Sequence, residues 1–339
     1  MSGRDSIGVQ TIGVIGGGAW GTALAQVAAS DGTKIMLWAR EAEVVDAVNL
    51  THENPIFLPG ISLSSDVRAT ANLGDLSDCA LLLAVAPAQH LGGLLRGLER
   101  RNQPIILCSK GMEQSTGRLM CDVARDAGWA GPVAVLSGPT FAHEVAAGLP
   151  AAVTLAAADS ATAQRFAEQI ARPMLRPYVS TDVIGAEIGG VVKNVLAIAC
   201  GVVDGAGLGQ NARAALISRG FAEMTRYGLA RGAQLETLTG LAGLGDLVLT
   251  CSSTSSRNFS LGRGLGTGQD AAMLLSDRNS VAEGAFSAAI LVEDAARRGV
   301  DMPICAAVAQ LVAGTLSARE AIATLMARPL KREGWDPIG

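Results

Sequence analysis

Aromatic side chains are scarce in this 339-residue chain, at 4% of positions, so its core must be packed from Ala, Val, Leu and Ile. The three histidines stand far apart, and no H-x-x-x-H pair exists. The six cysteines, at 79, 108, 121, 200, 251 and 305, never come closer than 13 residues, so there is no C-x-x-C either. A structural zinc site or a disulfide framework is thereby excluded as the basis of the fold; buried, reduced thiols and no bound metal are expected. Charge is also sparse, at 17% of residues with a net −4. A chain organised around nucleic acid or an anionic membrane needs a basic surplus, so neither partner is expected, and any anionic ligand must be held by a local cluster of positive groups. No run reaches the ~18 uninterrupted apolar residues of a membrane span, and the opening MSGRDSIGVQ has no apolar signal region. A soluble, cytoplasmic protein is expected.

What is abundant is apolar residues, at 49%, and glycine, at 41 residues without a G-X-Y period. The first excludes a disordered chain and the second a collagen-like one. Short aliphatic runs at 11–15, 34–38, 80–84, 105–108 and 133–136 read as strands buried on both faces. The segments between them are long enough for crossover helices, as a parallel sheet requires. A strand over 152–156, a helix over 161–171 and a strand near 174–179 close this part. From 182 onward the pattern is helical only, over 182–203, 212–227, 283–298, 303–314 and 318–326. The reading is an α/β chain: a Rossmann-like doubly wound sheet domain over 1–181, then an all-helical domain over 182–339, with a cleft between them.

The run Thr11-Ile12-Gly13-Val14-Ile15 leads into Gly16-Gly17-Gly18-Ala19-Trp20-Gly21 and then an Ala-rich helical pattern. This is G-x-G-x-x-G between a strand and a helix, the context in which the pattern signals a dinucleotide. Gly16 permits the tight turn, Gly18 the approach of a pyrophosphate, and Gly21 the close packing of helix on strand. At the end of the second strand run, Arg40 stands where a cation meets a ribose 2′-phosphate, and Glu41 beside it keeps the unphosphorylated coenzyme open. NADP is favoured over NAD.

Lys193 and Asn194 interrupt a nearly apolar helical stretch from 191 to 203. Burial disfavours an ammonium, which suits a lysine that gives and takes a proton; a structural lysine paired with a carboxylate fits the pattern equally. Asp246 is a second charge in apolar surroundings, and Ser252 to Asn258 gathers hydroxyls, Arg257 and an amide ahead of a helical pattern. Those are the parts of a phosphate site, and also of a surface loop with a serine helix cap. Ser109-Lys110-Gly111 and Ser137-Gly138-Pro139-Thr140-Phe141-Ala142 follow strand ends, where ligands gather in open α/β sheets. His143 is assigned a local structural role, since no partner spacing supports chemistry.

Together with Glu187-x-Gly-Gly-x-x-Lys193-Asn194, Gly243-x-Gly-Asp246 and Ser256-Arg257-Asn258, these motifs occur in the order found in the NAD(P)-dependent glycerol-3-phosphate dehydrogenases of the bacterial type. The chain resembles that family over about residues 11–330. The resemblance implies reversible reduction of dihydroxyacetone phosphate to sn-glycerol 3-phosphate, a phospholipid precursor, by a homodimer. By the same resemblance Lys193 exchanges the proton and Asp246 arranges it. Lys110, Gly138, Thr140, Lys193, Asn194, Asp246, Ser256, Arg257 and Asn258 would line the substrate site. Gly16, Gly18, Ala19, Trp20, Gly21, Arg40, Glu41, Lys110, Ala142, Arg257, Val281 and Glu283 would contact the coenzyme. Ala19 departs from the Ser of many members, and Glu41 lies in a variable stretch. Two alternatives remain at this point: another two-domain hydroxyacid dehydrogenase or ketoacid reductase, which would need a carboxylate pocket, and a catalytically silent dinucleotide-binding regulator.

Overall fold

The computed structural model describes residues 11–276 and 282–329. They form two compact units: the chain up to Lys110 with Arg118–Val183, and Gly111–Gly117 with the chain from Ile184.

The first unit is built on one eight-stranded sheet. Its strands are β1 (Ile12–Ile15), β2 (Ile35–Trp38), β3 (Val67–Thr70), β4 (Leu81–Ala84), β5 (Ile105–Leu107), β6 (Val133–Ser137), β7 (Ala151–Ala157) and β8 (Leu175–Ser180). The order is β3-β2-β1-β4-β5-β6-β7-β8, so the chain reverses its direction of travel between β1 and β4, where open α/β sheets bind their ligands. β1, β4 and β5 are buried along their whole length, as strands covered on both faces must be. The pairing is parallel from β3 to β6, then β7 runs antiparallel to β6 and β8 parallel to β7. β3 has no counterpart among the runs read from the sequence. Its Val-Arg-Ala-Thr alternates buried and open positions on an edge, too short a pattern to stand out. β8 is the other edge strand and carries Pro177, with Tyr178 and Val179 exposed.

The second unit is mostly helical. Its core is the 23-residue helix Val183–Gly205, buried without a break from Gly185 to Val203. That helix is long and apolar enough to cross a membrane, but 89% of its apolar window is buried inside the protein. Glycines let other backbones touch it. A Cβ on Gly201 would lie 2.1 Å from the Phe259 carbonyl oxygen, and one on Gly262 would lie 2.0 Å from that of Ile198. The helix Arg257–Gly266 therefore crosses the core helix backbone to backbone.

Helices Gly209–Ala230, Glu283–Arg297, Pro303–Val312 and Ala318–Met326 match runs read from the sequence to within a turn. The helical pattern behind the Ser252 to Asn258 segment is the helix Arg257–Gly266, whereas the shorter pieces at Leu235–Thr239, Leu241–Gly245, Asp246–Thr250 and Ala271–Leu275 have no counterpart among the runs read from the sequence. Cys79, Cys108, Cys200, Cys251 and Cys305 are buried thiols, and desolvation pushes Cys79 up to about 11 and Cys108 up to about 12.

Glu223 caps the helix Pro303–Val312 from another helix, its carboxylate accepting from Ile304 N–H at 2.8 Å and Cys305 N–H at 3.2 Å. Desolvation pushes its pKa up to about 7, against the pull of those two bonds, a bond with Cys305 and the charge of Arg226. The native state thus holds this proton where the unfolded chain has lost it. The favourable contribution is complete below about 4.5 and is lost as pH rises through about 7. Relative to Glu223→Gln, the wild type is expected to lose up to about 3 kcal/mol of its stability margin between pH 4.5 and 8. Urea midpoints of both proteins at the two pH values measure this, and a pH-independent difference would refute it.

Candidate active site

In the first unit, β1 ends at Ile15 and delivers Gly16 to Gly21 at the mouth of the helix Ala19–Ala28. Gly16 has φ +124°, a conformation closed to ordinary side chains. At Gly21 a Cβ would lie 1.8 Å from the Gly16 carbonyl oxygen, so the helix start is folded onto the turn. A Cβ on Gly18 would meet nothing within 4 Å, and the loop opens there on free space at a helix N-terminus. These residues fit a dinucleotide pyrophosphate, which needs backbone N–H groups and room for bulky oxygens.

Arg40 follows β2, and its Nη2 and Nε donate to Glu41 Oε1 at 2.7 and 3.0 Å. Its side chain is 76% exposed, so this pairing adds little stability and leaves the guanidinium within reach of a ligand. Lys110, just beyond β5, donates from Nζ to the Gly138 carbonyl at 3.0 Å, and the Thr140 hydroxyl donates to the same oxygen at 3.3 Å. The strand ends of β5 and β6 are thus joined through Lys110, Gly138 and Thr140. Ala142 begins the short helix Ala142–Ala146, which packs against the helix of the glycine loop. Ala19, Trp20 and Ala142 share one small apolar cluster with Ala23, Leu58, Ile61 and Ala146. His143 is exposed, and its ring stacks on that of Phe141.

In the second unit, Lys193 and Asp246 form a buried ion pair at 2.6 Å, with Lys193 7% and Asp246 0% exposed. Lys193 Nζ also donates to Thr250 Oγ1 at 3.0 Å, and that hydroxyl lies 3.3 Å from Asp246 Oδ1. Lys193 is thus both buried, as the proton-exchanging reading requires, and paired with a carboxylate, and its hydrogens are aimed at two fixed acceptors. Thr250 was not singled out as a partner, although its position one turn after Asp246 on the same helix was the available signal. Asn194 lies beside Lys193 and accepts at Oδ1 from Asn258 Nδ2 at 3.0 Å. Asn258 Oδ1 in turn accepts from Gly284 N–H at 2.9 Å. Both ends of the Asn258 amide thus tie helices together.

Ser256 caps the helix Arg257–Gly266, its hydroxyl accepting from Phe259 N–H at 3.2 Å. The expected serine cap is present, with the hydroxyl still able to donate, and it sets the first-turn N–H groups beside Arg257. The Arg257 side chain reaches the surface; desolvation lowers its pKa and the charge of Glu283 raises it. The guanidinium remains a cation at any physiological pH. Val281 lies outside the described residues.

A nucleotide loop at the switch point of one unit and a buried lysine–aspartate pair in another define a dinucleotide-dependent oxidoreductase. The comparisons with known proteins make this specific. The description "NAD-dependent glycerol-3-phosphate dehydrogenase N-terminus" matches residues 11–163, and the corresponding C-terminal description matches residues 182–323. Glycerol-3-phosphate dehydrogenase [NAD(P)+] 1 of Sphingopyxis alaskensis is 60% identical over 96% of this chain and 98% of its own. The glycerol-3-phosphate dehydrogenase [NAD(P)+] of Erythrobacter litoralis is 62% identical over 95% of this chain and 97% of its own. A crystal structure of glycerol-3-phosphate dehydrogenase from Coxiella burnetii superimposes with TM-score 0.89 at 36% identity, covering 94% of this chain and 99% of that one. The chain belongs to the NAD(P)-dependent glycerol-3-phosphate dehydrogenase family. This sets aside the ketoacid reductase and the silent regulator.

Proposed function

We propose that this chain interconverts dihydroxyacetone phosphate and sn-glycerol 3-phosphate with NADPH or NADH, supplying the backbone of glycerophospholipids in the cytoplasm. The observation that carries the reading is the Lys193–Asp246–Thr250 constellation, an acid–base group held in a dry interior in a chain of this family. The nicotinamide, when bound, supplies or takes the hydride. In the reducing direction the ketone oxygen gains negative charge as its carbon is reduced. Lys193, as the ammonium, stabilises that charge and passes a proton to the oxygen; in reverse it takes the proton of the alcohol. Asp246 balances the ammonium, and with Thr250 it holds Nζ in place between turnovers.

The remaining roles follow from chemistry and position. The Ser256 hydroxyl, the Arg257 guanidinium and the first-turn N–H groups of the helix Arg257–Gly266 receive the substrate phosphate, the Asn258 backbone among them. With the Asn258 amide engaged, its side chain serves the site by locking Asn194 and Gly284. Lys110, Gly138 and Thr140 bind substrate polar groups at the sheet edge, where Lys110 also meets the coenzyme. Gly16, Gly18, Ala19, Trp20, Gly21 and Ala142 receive the coenzyme, and Arg257 and Glu283 keep the coenzyme-contacting role that the family resemblance gives them. The active form is a homodimer, a reading that a monomeric mass in light scattering would overturn.

Lys193→Ala is expected to cut kcat by ~10²–10⁴-fold or more while the affinity for NADPH, followed by its fluorescence, stays within a factor of two. Retention of more than a tenth of wild-type turnover would mean that another group moves the proton. Arg40 favours NADPH by exchanging Glu41 for the 2′-phosphate. In Arg40→Ala the KM for NADPH is expected to rise roughly tenfold, with NADH almost unchanged. Equal losses for both coenzymes would assign Arg40 to the fold instead.

A further inference from the structure

The sequence motifs leave unused a loop of the first unit, residues 52–63, between the helix Ala42–Thr51 and β3. It is closed at its base by Leu63 N–H donating to the His52 carbonyl at 2.7 Å, and again by Leu58 N–H donating to the Asn54 carbonyl at 2.9 Å. His52 enters it with φ 54°, the one non-glycine residue with positive φ among those described. Leu58 is 4% exposed and packs in the cluster that contains Ala19, Trp20 and Ala142.

The informative residue is Asn54, which is fully buried. Its Nδ2 donates to the Gly17 carbonyl at 2.8 Å and to Thr22 Oγ1 at 2.8 Å, while its Oδ1 accepts from Phe57 N–H at 3.1 Å. Thr22, also fully buried, donates from Oγ1 to the same Gly17 carbonyl at 3.3 Å. The Gly17 oxygen is therefore gripped from inside by two donors that are themselves bonded to each other.

We infer that Asn54, acting with Thr22, is a positioning residue for the coenzyme pyrophosphate. In a trans peptide the C=O of one residue and the N–H of the next point in opposite directions. Drawing the Gly17 carbonyl inward turns the Gly18 N–H outward, toward the free space that a Cβ on Gly18 would enter. A glycine peptide without this restraint rotates at little cost and would present its carbonyl oxygen to the phosphates, which repel it. Asn54 touches no ligand in this scheme; it sets the direction of a donor that does.

Asn54→Asp tests this with a side chain of the same size, which keeps the acceptor for Phe57 and places a carboxylate against the Gly17 oxygen. Affinity is read by NADPH fluorescence and by the inhibition constants of ADP-ribose, which carries the pyrophosphate, and adenosine, which does not. NADPH and ADP-ribose are expected to weaken roughly 5- to 150-fold, while adenosine changes less than about twofold. The coenzyme KM should rise by the same factor as the NADPH dissociation constant, with kcat at saturating coenzyme within about threefold of wild type. Thr22→Val should show the same pattern more weakly, and Thr22→Ser should restore wild-type values. Thr22→Val also serves if Asn54→Asp does not fold by circular dichroism, since it removes the second donor to the same oxygen. Equal losses for all three ligands, unchanged affinity, or a fall in kcat at constant coenzyme KM would each overturn the assignment.

Discussion

The second unit depends on backbone touching backbone along one helix. The helix Val183–Gly205 presents glycine where other elements cross it: a Cβ on Gly189 would lie 2.1 Å from the Ala242 carbonyl oxygen, and one on Gly205 would lie 2.2 Å from that of Arg263. Four residues beyond Gly189 comes Lys193, and four beyond Ala242 comes Asp246. Contact at the first pair thus carries the second pair into register, because residues four apart share a helix face. The approach of the helix Arg257–Gly266 brings Asn258 to Asn194 in the same way. The ion pair is a consequence of packing as much as of charge attraction.

That origin bears on what the pair can do. Two charges taken out of water are held only where their geometry is good and further hydrogen bonds satisfy them, and Thr250 supplies one such bond here. In the proposed reaction a lysine fixed in this way would not reorganise as charge develops on the substrate oxygen, which is the condition under which electrostatic stabilisation is strongest.

Much of this was legible in the sequence, for identifiable reasons. The strands β1, β2, β4, β5 and β6 are short, mostly apolar runs, and the glycine loop sits between a strand and a helix as its pattern requires. The long helices of the second unit, Val183–Gly205 among them, carry enough periodic apolar residues to declare themselves. The helix Arg257–Gly266 shows only as a helical pattern without bounds behind a possible serine cap, because its Arg-Asn-Phe-Ser-Leu-Gly-Arg-Gly-Leu-Gly has poor intrinsic helix propensity and is held by the surface it crosses. The antiparallel turn of β7 leaves no mark in composition. Asn54 was missed for a related reason: an asparagine before a proline reads as a turn, and only the folded chain reveals that its amide reaches back 37 residues to Gly17.

The outer strand of the sheet has a bearing on how the protein survives its own synthesis. Among the described residues β8 has a strand neighbour on one side only, and with Tyr178 and Val179 exposed it offers the kind of edge on which another unfinished chain can pair. Pro177 sits in the middle of that strand without an N–H to offer, and Arg176 beside it adds a charge. A passing strand would find the ladder interrupted at its centre and would have to bury a cation to continue past it. The proline that weakens the outermost strand is, on this view, what ends the sheet at eight strands and keeps it from growing into an aggregate.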